Sequence, residues 1–192
     1  MRKLIVKMSM SLDGFVCGPN GENDWVFRSG DPESKAWSLE QISDAGLIAI
    51  GRKSFDMMAP YWITSTDLFA PTMNEIPKAV FTKQGYKGFN SGEGQPAAAS
   101  SWAQAQVFNG DLTEEVRKLK AGEGKPIVAI GGAGFVQSLI ATGLVDEYRL
   151  PVHPVALGSG VAIFGALPKP LDLKLIDVKI FKGGVAGHVY RA

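Results

Sequence analysis

The residues best suited to chemistry form the run Ile127-Val128-Ala129-Ile130-Gly131-Gly132-Ala133-Gly134-Phe135-Val136. Four apolar residues predict a strand, the glycines a turn, and the following residues a helix. A helix N-terminus presents free N–H groups and a partial positive charge, which suit a phosphate. Glycine lets the backbone approach such a group closely. A tight strand-to-helix turn with no ligand is the alternative reading of the same residues. The run is not a dinucleotide fingerprint of the usual kind. Gly132 and Gly134 supply two of its glycines, but Gln137 stands where the third belongs, and no acidic residue follows about 20 positions later.

A second segment repeats the pattern. Ile48-Ala49-Ile50 runs into Gly51, and Arg52, Lys53 and Ser54 add cationic and hydroxyl donors at a helix start. Groups of this kind suit a phosphate monoester such as the 2′-phosphate that separates NADP from NAD. A third apolar strand ends at Thr82-Lys83-Gln84. Each charged end alone reads as a solvated loop. Three donor-rich ends after three apolar strands point to the carboxyl edge of a parallel sheet, where ligands bind.

Other chemistry is thinly represented. His153 and His188 are far apart, and no Cys/His/Asp group has metal-ligand spacing, so no metal site is expected. Cys17, the only cysteine, His153 and His188 lack the partners of a nucleophile–base pair. One cysteine permits no intrachain disulfide and fits a reducing cytoplasm. Net charge is +1, so no strong field favours nucleic acid or an acidic membrane. No run approaches a membrane span. Lys7 interrupts the apolar start and no small-residue cleavage site follows, so no signal peptide is expected.

The elements that must position these residues follow from periodicity. Lys3 to Leu12 alternates, with Leu4, Val6, Met8, Met10 and Leu12 together, and predicts a strand with one face in the core. Asp31, Pro32 and Glu33 open a helix, with Asp31 as N-cap. Leu47 to Ile50 reads as a strand buried on both faces, followed by a short helix from Arg52 to Met58 that Pro60 ends. Lys78 to Thr82 is another buried strand, and residues 84–101 read as a surface loop. Gln106 to Phe108 is a short strand, and Asp111 or Thr113 caps the next helix. Pro126 to Ile130 is a strand, Ala133 to Ala141 a helix, and Tyr148 to Val155 a strand that its prolines place at or near an edge or a bulge. Leu171 to Phe181 and Val185 to Arg191 form a closing antiparallel pair turned at Gly183-Gly184. Alternation of strand and helix, a 45% hydrophobic share and 192 residues predict one α/β domain over residues 1–192. Its sheet is mostly parallel, with antiparallel C-terminal edge strands.

Several blocks, in order, carry a resemblance. They are Lys7-Met8-Ser9-Met10-Ser11-Leu12-Asp13-Gly14-Phe15, Ile50 to Phe55, Ile76 to Thr82, and Gly131-Gly132. Gly143-Leu144-Val145-Asp146-Glu147, then His153-Pro154-Val155-Ala156-Leu157-Gly158-Ser159-Gly160, and Phe164 complete the set. The chain resembles the dihydrofolate reductase superfamily, and within it the stand-alone relatives of the C-terminal reductase domain of the riboflavin-biosynthesis protein RibD.

That resemblance implies a three-layer α/β/α fold and an NADPH-dependent reductase of the 5-amino-6-(5-phosphoribosylamino)uracil reductase type. Hydride would pass to a small heterocyclic or carbonyl substrate, in a homodimer, as relatives often are. It places Gly51, Arg52, Lys53 and Ser54 at the adenosine phosphates, and Thr82 and Lys83 at the adenine and 2′-phosphate. Gly131, Gly132, Ala133, Gly134, Phe135 and Val136 would hold the pyrophosphate and nicotinamide side, and Ser9 and Val16 would line the nicotinamide pocket. It also implies a cis peptide at Gly131–Gly132. The acidic residue that binds the pteridine in dihydrofolate reductases has Asp31 as its nearest catalytic equivalent, with Glu33 beside it, although Asp31 also reads as a helix cap. Asp13, Trp25, Tyr61 and Trp62 are the candidate substrate-binding residues, Asp13 also reading as a turn former and the aromatic residues as packing. Arg28 and Lys35 are candidates for a substrate phosphate. A true dihydrofolate reductase and a non-catalytic nucleotide-binding protein are the alternative readings.

Overall fold

The computed structural model describes residues 1–86 and 99–192. Strand β1 (Leu4–Lys7) is followed after a break by β2 (Met10–Ser11). The expected single strand with one core face is therefore corrected twice. Leu4, Ile5 and Val6 are all buried: Leu4 and Val6 join one core, Ile5 the other, and Leu12 is exposed. β1 is an interior strand of a sheet with helices packed on both sides, so both of its faces are covered.

A short β3 (Phe15–Cys17) and α1 (Trp25–Arg28) precede α2 (Pro32–Ser43). β4 (Leu47–Gly51) is buried throughout, as its apolar run predicts. Helix α3 (Arg52–Thr64) runs through Pro60 rather than ending before it. Ala59 is fully buried and Trp62 and Ile63 pack on the same core, so burial on both sides of the proline outweighs the lost hydrogen bond. Then come α4 (Ala70–Glu75), β5 (Lys78–Phe81), α5 (Ser100–Ala103), β6 (Gln106–Phe108) and α6 (Leu112–Ala121). Most of the expected loop at 84–101 lies outside the described residues, and its end, from Ser100, is helical.

The chain continues with β7 (Ile127–Gly131), α7 (Ala133–Ala141), β8 (Glu147–His153), β9 (Val161–Ala162), β10 (Lys174–Ile180) and β11 (Ala186–Arg191). The main sheet runs β10-β11-β8-β1-β7-β4-β5-β6, with β2 paired to β8 and a separate ribbon of β3 and β9. From β8 to β6 the strands are parallel; β11 is antiparallel to β8, and β10 to β11. β8 is interior, not an edge. Its Leu150 and Pro151 fall opposite the break between β1 and β2, where a proline's missing donor is tolerated.

Three layers result. Val116 of α6 and Val136, Leu139 and Ile140 of α7 pack on one sheet face with Leu4, Val6 and Ala129. Ile42 of α2, Phe55 of α3, Met73 of α4 and Trp102 of α5 pack on the other with Ile5, Ile48, Val80 and Val128. This sandwich leaves the carboxyl ends of β1, β7, β4 and β5 side by side along one rim.

Candidate active site

Two of those ends meet. Ile50 of β4 is registered with Gly131 of β7, so the turns that follow abut. A side-chain carbon on Gly51 would lie 2.8 Å from Phe135 Cβ, and one on Gly132 would lie 3.2 Å from Gly51 Cα. Gly132 also has φ +83°, a left-handed conformation that disfavours other residues. The glycines thus let the starts of α3 and α7 close on one another. Gly131 lies against Ser54 and Met58 of α3, which fixes the two helices further. The peptide at Gly131–Gly132 is trans; no cis bond occurs among the described residues, and the turn is made by the torsion at Gly132 instead.

The caps differ in a telling way. Helix α2 is capped by Asp31 and helix α6 by Asp111, whose side chains accept backbone N–H bonds. Helices α3 and α7 begin at Gly51 and Gly132 with no side-chain cap. Their first N–H groups and partial positive charges therefore converge at one place on the rim with no side-chain cap on either helix.

Cationic and aromatic groups surround this place. Arg52 donates to Asp56 at 3.1 Å, and Tyr86 donates to the other oxygen of Asp56 at 2.9 Å. Lys53 and Lys83 are exposed. Phe81 stacks between Phe108 and Phe135, with centroids at 5.1 and 4.9 Å, so the end of β5 is tied to the first turn of α7. The Thr82 amide donates to the Phe108 carbonyl at 3.0 Å, and its hydroxyl donates to the Gln84 carbonyl at 2.9 Å.

Further along the rim, at the end of β1, lies a mostly apolar cavity of about 230 Å3. Lys7, Ser9, Ser34, Lys35, Ser38 and Asp67 contribute polar groups, and Phe27, Tyr61, Trp62 and Phe69 its aromatic walls. Tyr61 and Trp62 meet edge to face at 4.8 Å, and the Lys7 ammonium lies 5.9 Å from the Phe69 ring centre. Loss of hydration lowers the Lys7 pKa to about 8. His153 also lines the cavity; its Nδ1 is 2.8 Å from the Ser29 hydroxyl, and its buried Nε2 has no hydrogen-bond partner. Burial first, and then the Lys7 charge, lower its pKa to about 4, so it is neutral at pH 7. A larger depression of about 840 Å3 opens at Pro77 and Gln106, the amino ends of β5 and β6, away from the rim.

The structure thus gathers Gly51 to Ser54 with Gly131 to Val136, and separately Ser9 with Tyr61 and Trp62. It does not bring every candidate into the cavity. Each oxygen of the Asp31 carboxylate accepts one backbone hydrogen bond, from the Ser34 amide at 2.9 Å and the Gly183 amide at 2.6 Å, and the group lies off the cavity lining. Those amides hold its pKa below the ordinary value. Asp13 accepts from the Ser11 hydroxyl and from the amides of Gly158 and Leu157, which lower its pKa to about 2; it pins the 157–158 turn. Trp25 is buried edge-on against His153 at 5.3 Å, and Val16 is buried in the core. Arg28 is exposed beside Asp24, whereas Lys35 lines the cavity.

Lys7 and His153 are the residues that reading by spacing missed. Lys7 carries a signal in retrospect: a lysine directly after three buried apolar residues of a central strand must end at a polar or functional space. His153 has no near neighbour in sequence to mark it.

The model of the RibD C-terminal domain matches residues 2–186. The chain belongs to the RibD C-terminal domain family. It is 36% identical over 189 residues to the Bacillus subtilis protein YyaP, spanning 98% of this chain and 94% of that one. The crystal structure of a putative riboflavin biosynthesis protein from Shewanella sp. PV-4 superposes with a TM-score of 0.73 at 21% identity, covering 98% of each chain. The diaminohydroxyphosphoribosylaminopyrimidine deaminase/5-amino-6-(5-phosphoribosylamino)uracil reductase of Thermotoga maritima gives 0.65 at 14% identity, over 99% of this chain and 56% of that one. The shared fold is the three-layer α/β arrangement of the RibD C-terminal domain. Among the described residues, no helix is long and apolar enough to cross a membrane, and no group of three His, Cys, Asp or Glu residues could hold a metal ion.

Proposed function

We propose that this chain is an NADPH-dependent reductase that acts on a small planar heterocyclic or carbonyl substrate. The observation that carries the reading is the convergence of two helix N-termini without side-chain caps, at Gly51 and Gly132, on the carboxyl rim of a parallel sheet. A dinucleotide pyrophosphate fits that place because it brings an anion to helix starts with no side-chain cap. In this reading Arg52, Lys53 and Ser54 bind the adenosine phosphates, the 2′-phosphate among them, and Thr82 and Lys83 lie at the adenine and the same 2′-phosphate. The α7 turn from Gly131 to Val136 and the Ser9 region hold the nicotinamide end. When bound, the reduced dinucleotide supplies a hydride.

The chain's own residues do the rest. Tyr61, Trp62 and Phe69 exclude water and set a flat substrate in place. Lys7 holds a proton beside that space, with a pKa near enough to neutral to release it to a substrate oxygen or nitrogen that gains charge. Lys35 stands at the cavity as a cation for a substrate phosphate, which suits a ribosylaminopyrimidine of the kind named for the Thermotoga protein. A true dihydrofolate reductase is less well supported, because Asp31 is engaged as a helix cap. We assign the enzyme to the cytoplasm, where a lone thiol stays reduced.

Titration of tryptophan fluorescence with NADPH and NADH tests the cofactor. Selective quenching by NADPH is expected, and no response to either defeats the reading. NADPH oxidation with dihydrofolate and with the ribosylaminopyrimidine then sorts the enzymes; binding without turnover of either favours a non-catalytic nucleotide-binding protein.

A further inference from the structure

His153 ends β8 and is 4% exposed. Its backbone is registered with Ser11 of β2, and its carbonyl accepts from the Val155 amide at 2.8 Å. Trp25 packs edge-on against the ring at 5.3 Å, and the Ser29 hydroxyl lies 2.8 Å from Nδ1. The imidazole is thus held by its strand, by an aromatic neighbour and by a hydroxyl. Among the described residues, its Nε2 is the one buried side-chain nitrogen or oxygen without a hydrogen-bond partner. An unpaired polar atom in the interior costs free energy that a partner recovers. The ring lines the cavity at the end of β1, so the missing partner belongs to the occupant of that cavity.

The surroundings select the kind of partner. Lys7 lines the same cavity, and its charge acts on the ring, adding to burial in keeping His153 neutral. Beside a fixed ammonium, an electron-rich atom of a ligand is favoured and an N–H of a ligand is disfavoured. An electron-rich atom requires a donor at Nε2. Nε2 then carries the ring's hydrogen, Nδ1 keeps its lone pair, and the Ser29 hydroxyl donates to Nδ1, which fixes this tautomer. The aromatic walls require that the ligand atom belong to a flat ring, and an oxo oxygen in the plane of that ring has lone pairs for both His153 and Lys7.

We propose that His153 is a specificity-determining residue: held by Ser29 as the neutral Nε2–H tautomer, it donates a hydrogen bond to an oxo group of the planar substrate beside Lys7. The inference rests on the reading of this cavity as the substrate site. Rings without the oxo group are rejected because they leave Nε2 unpaired.

Long-range 1H–15N correlation on protein labelled with 15N-histidine tests it. The chain has two histidines, and the His153 signals are those that His153→Gln removes. At pH 7 His153 is expected as the Nε2–H tautomer. Two flat bicyclic probes are then titrated: quinazoline-2,4-dione, which carries oxo groups, and quinazoline, which has none. The dione alone is expected to shift Nε2. His153→Phe is expected to weaken the dione about tenfold or more and to leave quinazoline unchanged. His153→Gln, which returns a donor near the position of Nε2, is expected to recover most of that loss. A merely structural role for the ring would change both probes alike.

An Nδ1–H tautomer overturns the donor. Equal effects on both probes overturn the specificity, and an Nε2 indifferent to the dione shows that the nitrogen is satisfied inside the protein and overturns the contact. Binding of neither probe overturns the cavity as its place of action. If His153→Phe does not fold, the tautomer and the dione shift in the wild type decide, with His153→Gln as the variant. Where NADPH quenches tryptophan fluorescence but the dione ignores His153, this inference fails alone. Where the dione behaves as expected and NADPH gives no response, the reductase reading fails and the contact stands.

Discussion

Gly132 and Gly51, at the ends of neighbouring parallel strands, lie so close that a side-chain carbon on Gly132 would crowd Gly51 Cα at 3.2 Å. The contact is what brings the α3 and α7 N-termini together. Gly132→Ala meets both the left-handed torsion at φ +83° and the 3.2 Å approach to Gly51 Cα. It should lower unfolding free energy by about 1–3 kcal/mol, read by urea denaturation. NADPH quenching of the still folded variant should be lost, because the two helix starts are pushed apart.

Arg52→Ala should weaken NADPH about tenfold or more and NADH little, because a charge-assisted hydrogen bond to a phosphate contributes about 1.5–3 kcal/mol. Equal weakening of both, by fluorescence titration, would show that Arg52 does not read the 2′-phosphate. The native Asp56 pairing keeps Arg52 on the first turn of α3 and makes Asp56→Ala a milder version of the same change.

Lys7 gives a pH signature. Its pKa falls from 10.5 to about 8 on folding. Between those values the unfolded chain holds a proton that the folded chain has released, so this group makes stability rise with pH from 8 to 10.5. Below 8 the buried charge is a cost. Lys7→Met should therefore be more stable than wild type by about 1–3 kcal/mol at pH 7, and the difference should vanish above pH 10.5. The same variant should lose nearly all turnover while still binding NADPH. Wild-type turnover should decline as pH rises through about 8, where the ammonium is lost.

Asp31→Ala should cost about 1 kcal/mol of stability, the ordinary effect of losing an N-cap, with NADPH turnover retained in the folded protein. Collapse of kcat without loss of stability would return Asp31 to the catalytic role. Thermal unfolding and steady-state kinetics on one preparation separate the outcomes.

Much of the framework is legible in the residues themselves. Apolar runs at Leu47–Ile50, Lys78–Phe81 and Ile127–Ile130 mark strands because burial on two sides excludes polar groups. Asp31-Pro32 and Asp111 mark helix starts because capping is local chemistry. The glycine turns were visible for the same reason, as was the C-terminal hairpin.

The neighbours of each element were not. Periodicity in Lys3–Leu12 reports a local preference, whereas β1 gained a second buried face from the helices that pack over Ile5. Pro60 is a helix breaker in isolation, and packing around Ala59 and Trp62 carried α3 past it. Asp31 caps α2 through the local Ser34 amide, but that its second oxygen is held by Gly183 of the β10–β11 turn is not visible in the chain. Lys7 and His153 met at a cavity only because β1 and β8 pair in parallel. The sequence by itself determined which segments are strands, helices and glycine turns, since these follow from local sterics and burial. Tertiary structure alone decided that Gly51 lies against Gly132 and that Lys7 faces an aromatic wall, since strand order is set by contacts between residues far apart in the chain.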